Sequence, residues 1–404
     1  MFVSTLWLLA SIVLTSCAHQ PAEVTPLCAA QRDALARGAE VHLHVVDLKE
    51  GTTHFALHAD ELVLPASTQK LLTVSAVAEA LAPDATLDTR LQRLLPRTGA
   101  TQTPVEVVLS GGGDALLSAA EVRQLAEQSL LLLPSGPVRL SAASGPFEGP
   151  DLGEGWMWDD DLEQERVLPL RIAGSQRKDQ PRDVLEVVAD VFEKAGHNTE
   201  IVLSPTPRAA CEKAQLLAAH RRPCRDLMRA ALLDSNNLAA ECLLRFANPT
   251  EASATAGLEG VRQALRKHGM DVARLRLADG SGYSRYNLIT MRTLTHLVRS
   301  EELTHPGRLR QWLPIAGESG TLSRRFTTPV ARGRIQAKTG SLEGVTALAG
   351  FLTDCTGREF VFAMSVQNGV APASELRAIV DGFLTTLVER GVLACALQED
   401  TERL

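Results

Sequence analysis

The sequence predicts an α+β fold, an antiparallel sheet flanked by helices, with a smaller mixed domain looped out of it. Three observations carry that prediction. Apolar residues alternate at period two near both ends of the chain, over Val41 to Val46 and again over Val345 to Leu352 and Glu359 to Gln367. Helical patterns lie beside them: an almost wholly apolar one from Lys70 to Leu81, and an amphipathic one from Ser374 to Glu389 that should lie against the sheet. From about Asp88 the texture changes to shorter strands and turns. With 404 residues, 45% of them hydrophobic, the chain is long enough for one large domain or two smaller ones, and disorder is not expected. A formal charge of -7 and the lack of any basic block exclude a nucleic-acid partner.

Met1 to Ser16 is apolar, carries no charged side chain and is too short to span a bilayer before the polar run at His19, so residues 1–16 read as a signal peptide. The Leu14-Thr15-Ser16-Cys17 ending resembles the lipobox of bacterial lipoproteins, which implies lipidation of Cys17 and a lipidated tether over 17–28. The alternative is an ordinary signal peptide cut a few residues later, and both readings export the chain. Ala18 after the cysteine makes the outer membrane, facing the periplasm, the expected home by the same resemblance. The other six cysteines form an even set in an oxidising compartment. Cys211 with Cys224 and Cys28 with Cys395 are candidate disulfides, with buried thiols as the alternative.

A helix is expected from Ala29 to Gly38, then a hairpin that delivers the chain to Ser67. His42 and His44 share one strand face; with no third ligand nearby, a solvated or edge position is preferred to a metal site. The apolar helix is stopped by Pro83. In the looped-out module, strands are expected at Val105 to Leu109, Val138 to Leu140 and Glu200 to Leu203, with helices at Ala119 to Leu132 and Arg182 to Ala195. The Gly111-Gly112-Gly113 run reads as turns, since no G-K-[ST] follows it. Trp156 and Trp158 read as core or interdomain packing. The Ser204 to Pro207 stretch suggests a boundary, after which helical texture runs from Cys211 to Phe246, broken only at Asp234-Ser235-Asn236-Asn237. Taken alone, that break reads as a helix cap. Asp279-Gly280-Ser281-Gly282 is a turn-rich loop, a helix follows from Thr290 to Ser300, and Lys338 to Gly340 should end or edge a strand, with Gly340 bare enough for a ligand backbone to approach.

Three short motifs carry the chemistry. Ser67 and Lys70 stand three apart at the start of the apolar helix, which puts a nucleophile beside a possible base. Lysine serves as a base only when neutral, so burial or a second cation must depress its pKa from about 10.4. Ser235 and Asn237 are two apart in a polar break, a spacing that can point both the same way into a cleft, and Lys338-Thr339-Gly340-Ser341 supplies a further cation. The order S-x-x-K, S-x-N, K-T-G matches the active-site set of penicillin-recognising serine enzymes.

These motifs together with PASTQKLLT, GWMWDD, DGSGYSR followed by Asn287, LPIAG with GTL, and AKTGSLEGVTALAG make the chain resemble the D-Ala-D-Ala carboxypeptidase/endopeptidase family of low-molecular-mass penicillin-binding proteins, peptidase family S13. The resemblance runs from about residue 40 to 370. It implies a β-lactamase/transpeptidase-like catalytic domain over 29–88 and 208–404, with an inserted domain, 89–207, between the first and second motifs. The 168 positions separating Ser67 from Ser235 are too many for a class A β-lactamase and somewhat few for a double insertion, so a nested domain is expected to be reduced or missing. Ala115 and Asn236 depart from the family pattern at positions that carry no chemistry.

The resemblance also implies roles. Ser67 would attack the carbonyl between two D-alanines while Lys70, kept neutral by Lys338, takes its proton. Ser235 would pass a proton to the departing amine, and Asn237 would hold the substrate amide. Lys338 and Thr339 would hold the terminal carboxylate, beside Gly340, and the N-H groups of Ser67 and Ser341 would hold the oxyanion. The implied substrates are peptidoglycan stem peptides, with β-lactam antibiotics as covalent inhibitors and no metal or organic cofactor. Two rival readings are a β-lactamase and a catalytically silent lipoprotein that binds peptidoglycan.

Overall fold

The computed structural model describes residues 25–96, 104–156, 166–175 and 181–396. The expected signal peptide, Cys17, and the stretch from Met157 to Asp160 lie outside the described residues. In chain order the strands are β1 (Glu40–Asp47), β2 (Thr53–Leu57), β3 (Thr86–Arg93), β4 (Val105–Ser110), β5 (Val138–Ala143), β6 (Thr199–Thr206), β7 (Gln215–Pro223), β8 (Ile335–Leu342), β9 (Val345–Thr353) and β10 (Glu359–Gln367).

The first sheet runs β2-β1-β10-β9-β8, antiparallel throughout. Its central strands are buried on both faces, and their period-two alternation divides them between two cores. Phe360, Phe362, Met364 and Val366 pack with Leu27, Ala30 and Ala34 of the helix Pro26–Leu35 and with Leu376, Val380, Leu384 and Leu387 of the helix Ala373–Arg390. Val361 and Ala363 face the other way, onto Leu71, Val74 and Val77 of the helix Lys70–Ala80 and Leu294 and Val298 of the helix Met291–Thr304. The helix Lys70–Ala80 is buried from Lys70 through Val77, and its C-cap Leu81 turns to an extended backbone just before Pro83.

His42 and His44 do not sit at a solvated edge. β1 lies between β2 and β10, and both imidazoles are buried. The Arg292 guanidinium, which only donates, lies 2.9 Å from His44 Nε2, so Nε2 accepts and Nδ1 donates to Thr295 Oγ1 at 2.5 Å. Burial, helped by the Arg292 charge, pushes His44 down to about 4. Both ring nitrogens are used in packing the helix Met291–Thr304 onto the sheet.

The second sheet runs β6-β5-β4-β3-β7. β4, β5 and β6 are parallel and are joined by the helices Ala119–Ser129 and Arg182–Lys194. A Ser118/Glu121 capping box starts the first of these helices. The boundary expected at Pro207 moves. β7 pairs with β3 from Thr86↔Pro223 to Arg93↔Gln215, so the segment from Cys211 is not continuous helix, and the inserted sheet reaches to Pro223. Nothing periodic in Gln-Leu-Leu-Ala-Ala-His-Arg-Arg marks this strand; pairing with β3 decides its state. The chain passes from the first sheet and its helices to the second sheet and back through these adjacent strands, and Cys224 N donates to Ala85 O (2.9 Å) where they meet.

The candidate disulfides do not form. Cys211 and Cys224 are free thiols at opposite ends of β7, whose nine residues span about 26 Å. Cys28 is a free thiol, and apolar packing between the helices Pro26–Leu35 and Ala373–Arg390 ties the chain ends instead. No described helix is long and apolar enough to cross a membrane.

Candidate active site

Ser67 lies on a 3-10 turn, Ala66–Gln69, that runs directly into the helix Lys70–Ala80. Ala66 holds a left-handed backbone (φ 47), a cost that the surrounding packing must hold in place. One turn on, the fully buried Lys70 Nζ lies 2.8 Å from Ser67 Oγ, 2.7 Å from Asn237 Oδ1 and 2.7 Å from the Ser281 carbonyl. The last two partners only accept. A neutral amine therefore gives its two hydrogens to them and turns its lone pair toward the Ser67 hydroxyl. Burial lowers Lys70 to about 7, against the pull of the Asp279 and Glu241 carboxylates. Burial thus depresses Lys70 first, rather than the second cation expected from the sequence.

Ser235 and Asn237 flank the junction of the helices Cys224–Leu233 and Asn237–Leu244. The cap reading and the chemical reading both hold there, on different residues. Asn236 is the N-cap, its Oδ1 accepting from Ala239 N at 2.8 Å. Its neighbours turn into the cleft: Ser235, in a left-handed backbone (φ 61), accepts from Lys338 Nζ at 2.9 Å, and Asn237 meets Lys70. Lys338 is fully buried, held well below its ordinary value by burial and then by the charge of Lys70.

Lys338 to Ser341 occupy the middle of β8, an edge strand. The outer edge is covered upstream, where Ala316 N donates to Ile335 O and Ala337 N to Pro314 O. Alternation along the strand places the Ser341 N-H on this same outer edge, beyond the cover. Thr339 Oγ1 donates to Thr321 Oγ1 at 2.8 Å, which brings the G-T-L stretch to the cleft. Gly340 is required for a different reason from ligand access. A Cβ there would lie 2.9 Å from Pro65 O and 3.2 Å from Ser67 N, so its bareness seats the turn that carries Ser67.

Two carboxylates that sequence reasoning missed lie behind Lys70. Asp279 accepts from Gly282 N (2.8 Å), Ser284 N (2.6 Å), Asn287 Nδ2 (2.7 Å) and Trp156 Nε1 (2.9 Å), and so shapes the loop whose Ser281 carbonyl meets Lys70. Trp156 thereby ties the inserted domain to the catalytic loop. Glu241 accepts from Gly280 N (3.0 Å) and Ser281 N (2.8 Å). Its signal was available, since one carboxylate interrupts the apolar run Leu238-Ala239-Ala240 to Cys242-Leu243-Leu244.

One other cluster bears on metals: Glu79, His268 and Glu301 bring ligand atoms within 4.8 Å of one another. Arg308 Nε and Nη2 donate to both oxygens of Glu301 (3.0, 2.8 and 2.7 Å), and His268 Nδ1 is 2.7 Å from Ser300 Oγ. The cluster is an ion-pair network that joins three helices.

Known proteins share this architecture. The chain is 29% identical to a carboxypeptidase DacB of Mycolicibacterium smegmatis over 359 residues, 80% of this chain and 75% of that one. It is 28% identical to a D-alanyl-D-alanine carboxypeptidase of Actinomadura sp. over 455 residues, 88% of this chain and 82% of that one. The crystal structure of penicillin binding protein 4 from Haemophilus influenzae superposes with a TM-score of 0.72 at 22% identity, covering 92% of this chain and 98% of that one. A predatory peptidoglycan endopeptidase from Bdellovibrio bacteriovorus gives 0.58 at 16%, covering 88% and 92%. Both likenesses show that the chain shares their fold. The family model for D-Ala-D-Ala carboxypeptidase 3 (S13) matches residues 27–169 and 169–387. A buried lysine aimed at a serine, a second serine and lysine across the cleft, and this match together show that the chain belongs to the D-Ala-D-Ala carboxypeptidase 3 (S13) family and is a serine D,D-peptidase.

Proposed function

We propose that Ser67 is the nucleophile of this peptidase and Lys70 its base, and the observation that carries the assignment is the set of three partners around Lys70 Nζ. Neutral Lys70 takes the Ser67 proton as Oγ attacks the carbonyl carbon between two D-alanines. The oxyanion rests on the N-H groups of Ser67 and Ser341, each donor worth about 2.7 to 4 kcal/mol of barrier. Ser235 relays a proton to the departing amine, giving up its own and recovering one from Lys338 Nζ, which donates to it, and the amine's departure leaves the acyl-enzyme for water to hydrolyse. Lys338 and Thr339 attract the terminal carboxylate. Asn237 Oδ1 accepts from Lys70, and the same side chain holds the substrate amide. The open outer edge of β8 suits an extended stem peptide added as a strand.

The substrates are peptidoglycan stem peptides, cut at terminal D-Ala-D-Ala and at D-Ala cross-links, and β-lactams acylate the same serine. The Haemophilus influenzae relative has been solved in complex with a β-lactam, which supports this reading. Fluorescent penicillin is expected to label Ser67 and to leave slowly, with the label mapped by peptide mass spectrometry. Fast multiple turnover would instead make the protein a β-lactamase, and no label at all would favour a silent binding protein.

Cys17 carries the anchor in this account, which places the cleft in the periplasm on the outer membrane. The lipobox-like Leu14-Thr15-Ser16-Cys17 supports it. Cys17→Ser should abolish metabolic labelling with palmitate and release the protein from membranes; unchanged labelling contradicts the anchor.

A further inference from the structure

Glu241 stands one helical turn after Asn237, so both project from one face of the helix Asn237–Leu244 toward Lys70. Asn237 meets the amine directly. Glu241 meets it through Ser281, whose N-H donates to Glu241 Oε1 at 2.8 Å and whose carbonyl accepts from Lys70 Nζ at 2.7 Å. Glu241 and Lys70 are 1% and 0% exposed, so water screens neither. We propose that Glu241 is a positioning residue that sets the charge of Lys70: the two groups share one proton across Ser281, and Glu241 holds it while Lys70 acts as the base. The proposal rests on the assignment of Lys70 as the base.

Charge counting supports it. The groups facing the pair are Asp279 from the loop, Arg245 one turn further along Glu241's own helix, and Lys338 from β8. With Lys70 neutral, an ionised Glu241 would be a second buried anion beside Asp279, which already takes donors on both oxygens. Protonating Glu241 removes that repulsion. With Lys70 charged, an ionised Glu241 stabilises the ammonium. The displacements agree: burial and then Asp279 push Glu241 up to about 7, and burial brings Lys70 down to about 7 against the pull of Asp279 and Glu241, so the two groups change charge over the same pH range. Ser281 carries no proton between them. It fixes their separation.

The test is the acylation rate with a fluorescent penicillin against pH for wild type, Glu241→Gln and Lys70→Ala. Glutamine keeps the acceptor for Gly280 and Ser281 and removes the titrating charge. Glu241→Gln should move the acid limb of the profile to lower pH by about half a unit or more, because an anion that favours charged Lys70 is gone, while the plateau falls by less than about tenfold. A uniform fall at every pH with the limb in place would overturn the proposal and make Glu241 structural. Wild type with no limb, or Lys70→Ala with normal acylation, would overturn the base assignment and this proposal with it. Should Glu241→Gln not fold, infrared spectra of wild type labelled with [13C]glutamate decide: a protonated carboxyl band that persists at about pH 6 and is lost by about pH 8 supports the shared proton, and its absence overturns it.

Discussion

Replacing Lys70 by alanine is expected to slow acylation of Ser67 by about 10² to 10⁴-fold while the protein still folds, the usual span for losing a positioned general base. Rate falls because, among the described residues, no other basic side chain is hydrogen-bonded to Ser67 Oγ; Lys338 is committed to Ser235 Oγ (2.9 Å) and Thr339 O (2.7 Å). The same group sets the pH dependence. Lys70 is lowered from 10.5 to about 7, so below that value it is charged and has no lone pair to offer. Wild-type acylation should therefore rise with pH, about tenfold per unit on the acid side, and level above about pH 7. The sign for stability follows from the same shift. Between about 7 and 10.5 the unfolded chain holds a proton that the folded one has lost, so this group's contribution to stability rises with pH across that window. Stopped-flow acylation of both proteins, with thermal melts beside it, measures these effects. An acid limb that survives in Lys70→Ala would contradict the assignment.

The second large effect is expected at a residue with no side chain. Gly282 holds φ +79, and a Cβ there would sit 1.9 Å from Ala66 O, the backbone of the turn that carries Ser67. Ala66 is itself in a left-handed backbone, so two tight turns meet beside Ser67. Gly282→Ala should push them apart and cost about 100-fold or more in acylation, since a displacement of about 1 Å has that effect on a reacting pair. Gly269 separates strain from position. It has nearly the same φ, +76, with nothing within 4 Å of its would-be Cβ, so Gly269→Ala should lose only about 1 to 2 kcal/mol of stability and keep its acylation rate. Equal acylation by the two variants would show that the Gly282 contact does not place Ser67.

What the sequence made legible, and what it did not, divides by range. Ser67 with Lys70, and Ser235 with Asn237, are local pairs whose spacing on a helix start or a helix junction already says that they point together. Lys338 required only the expectation that a second cation exists, which short motifs in order satisfied. The long-range partners were not readable. Asp279 sat in a loop that read as turns, because nothing local shows that five groups, one of them Trp156 of the inserted domain, converge on its carboxylate. β7 was read as helix because its pairing partner lies some 130 residues upstream, beyond the reach of any local pattern. The histidines of β1 were misplaced for a related cause: polar residues at alternate positions suggest a wet face, and distant packing makes it dry, with the helix Met291–Thr304 against His44 and His58 against His42.

The central claim is that a Ser67 acyl-enzyme cuts peptide bonds between D-alanines. Digestion of defined muropeptides by wild type and by Ser67→Ala, read by mass spectrometry, tests it most directly. With wild type alone we expect loss of the terminal D-alanine from pentapeptides, conversion of cross-linked dimers to monomers, or both. Equal products from the two proteins would refute the assignment of Ser67.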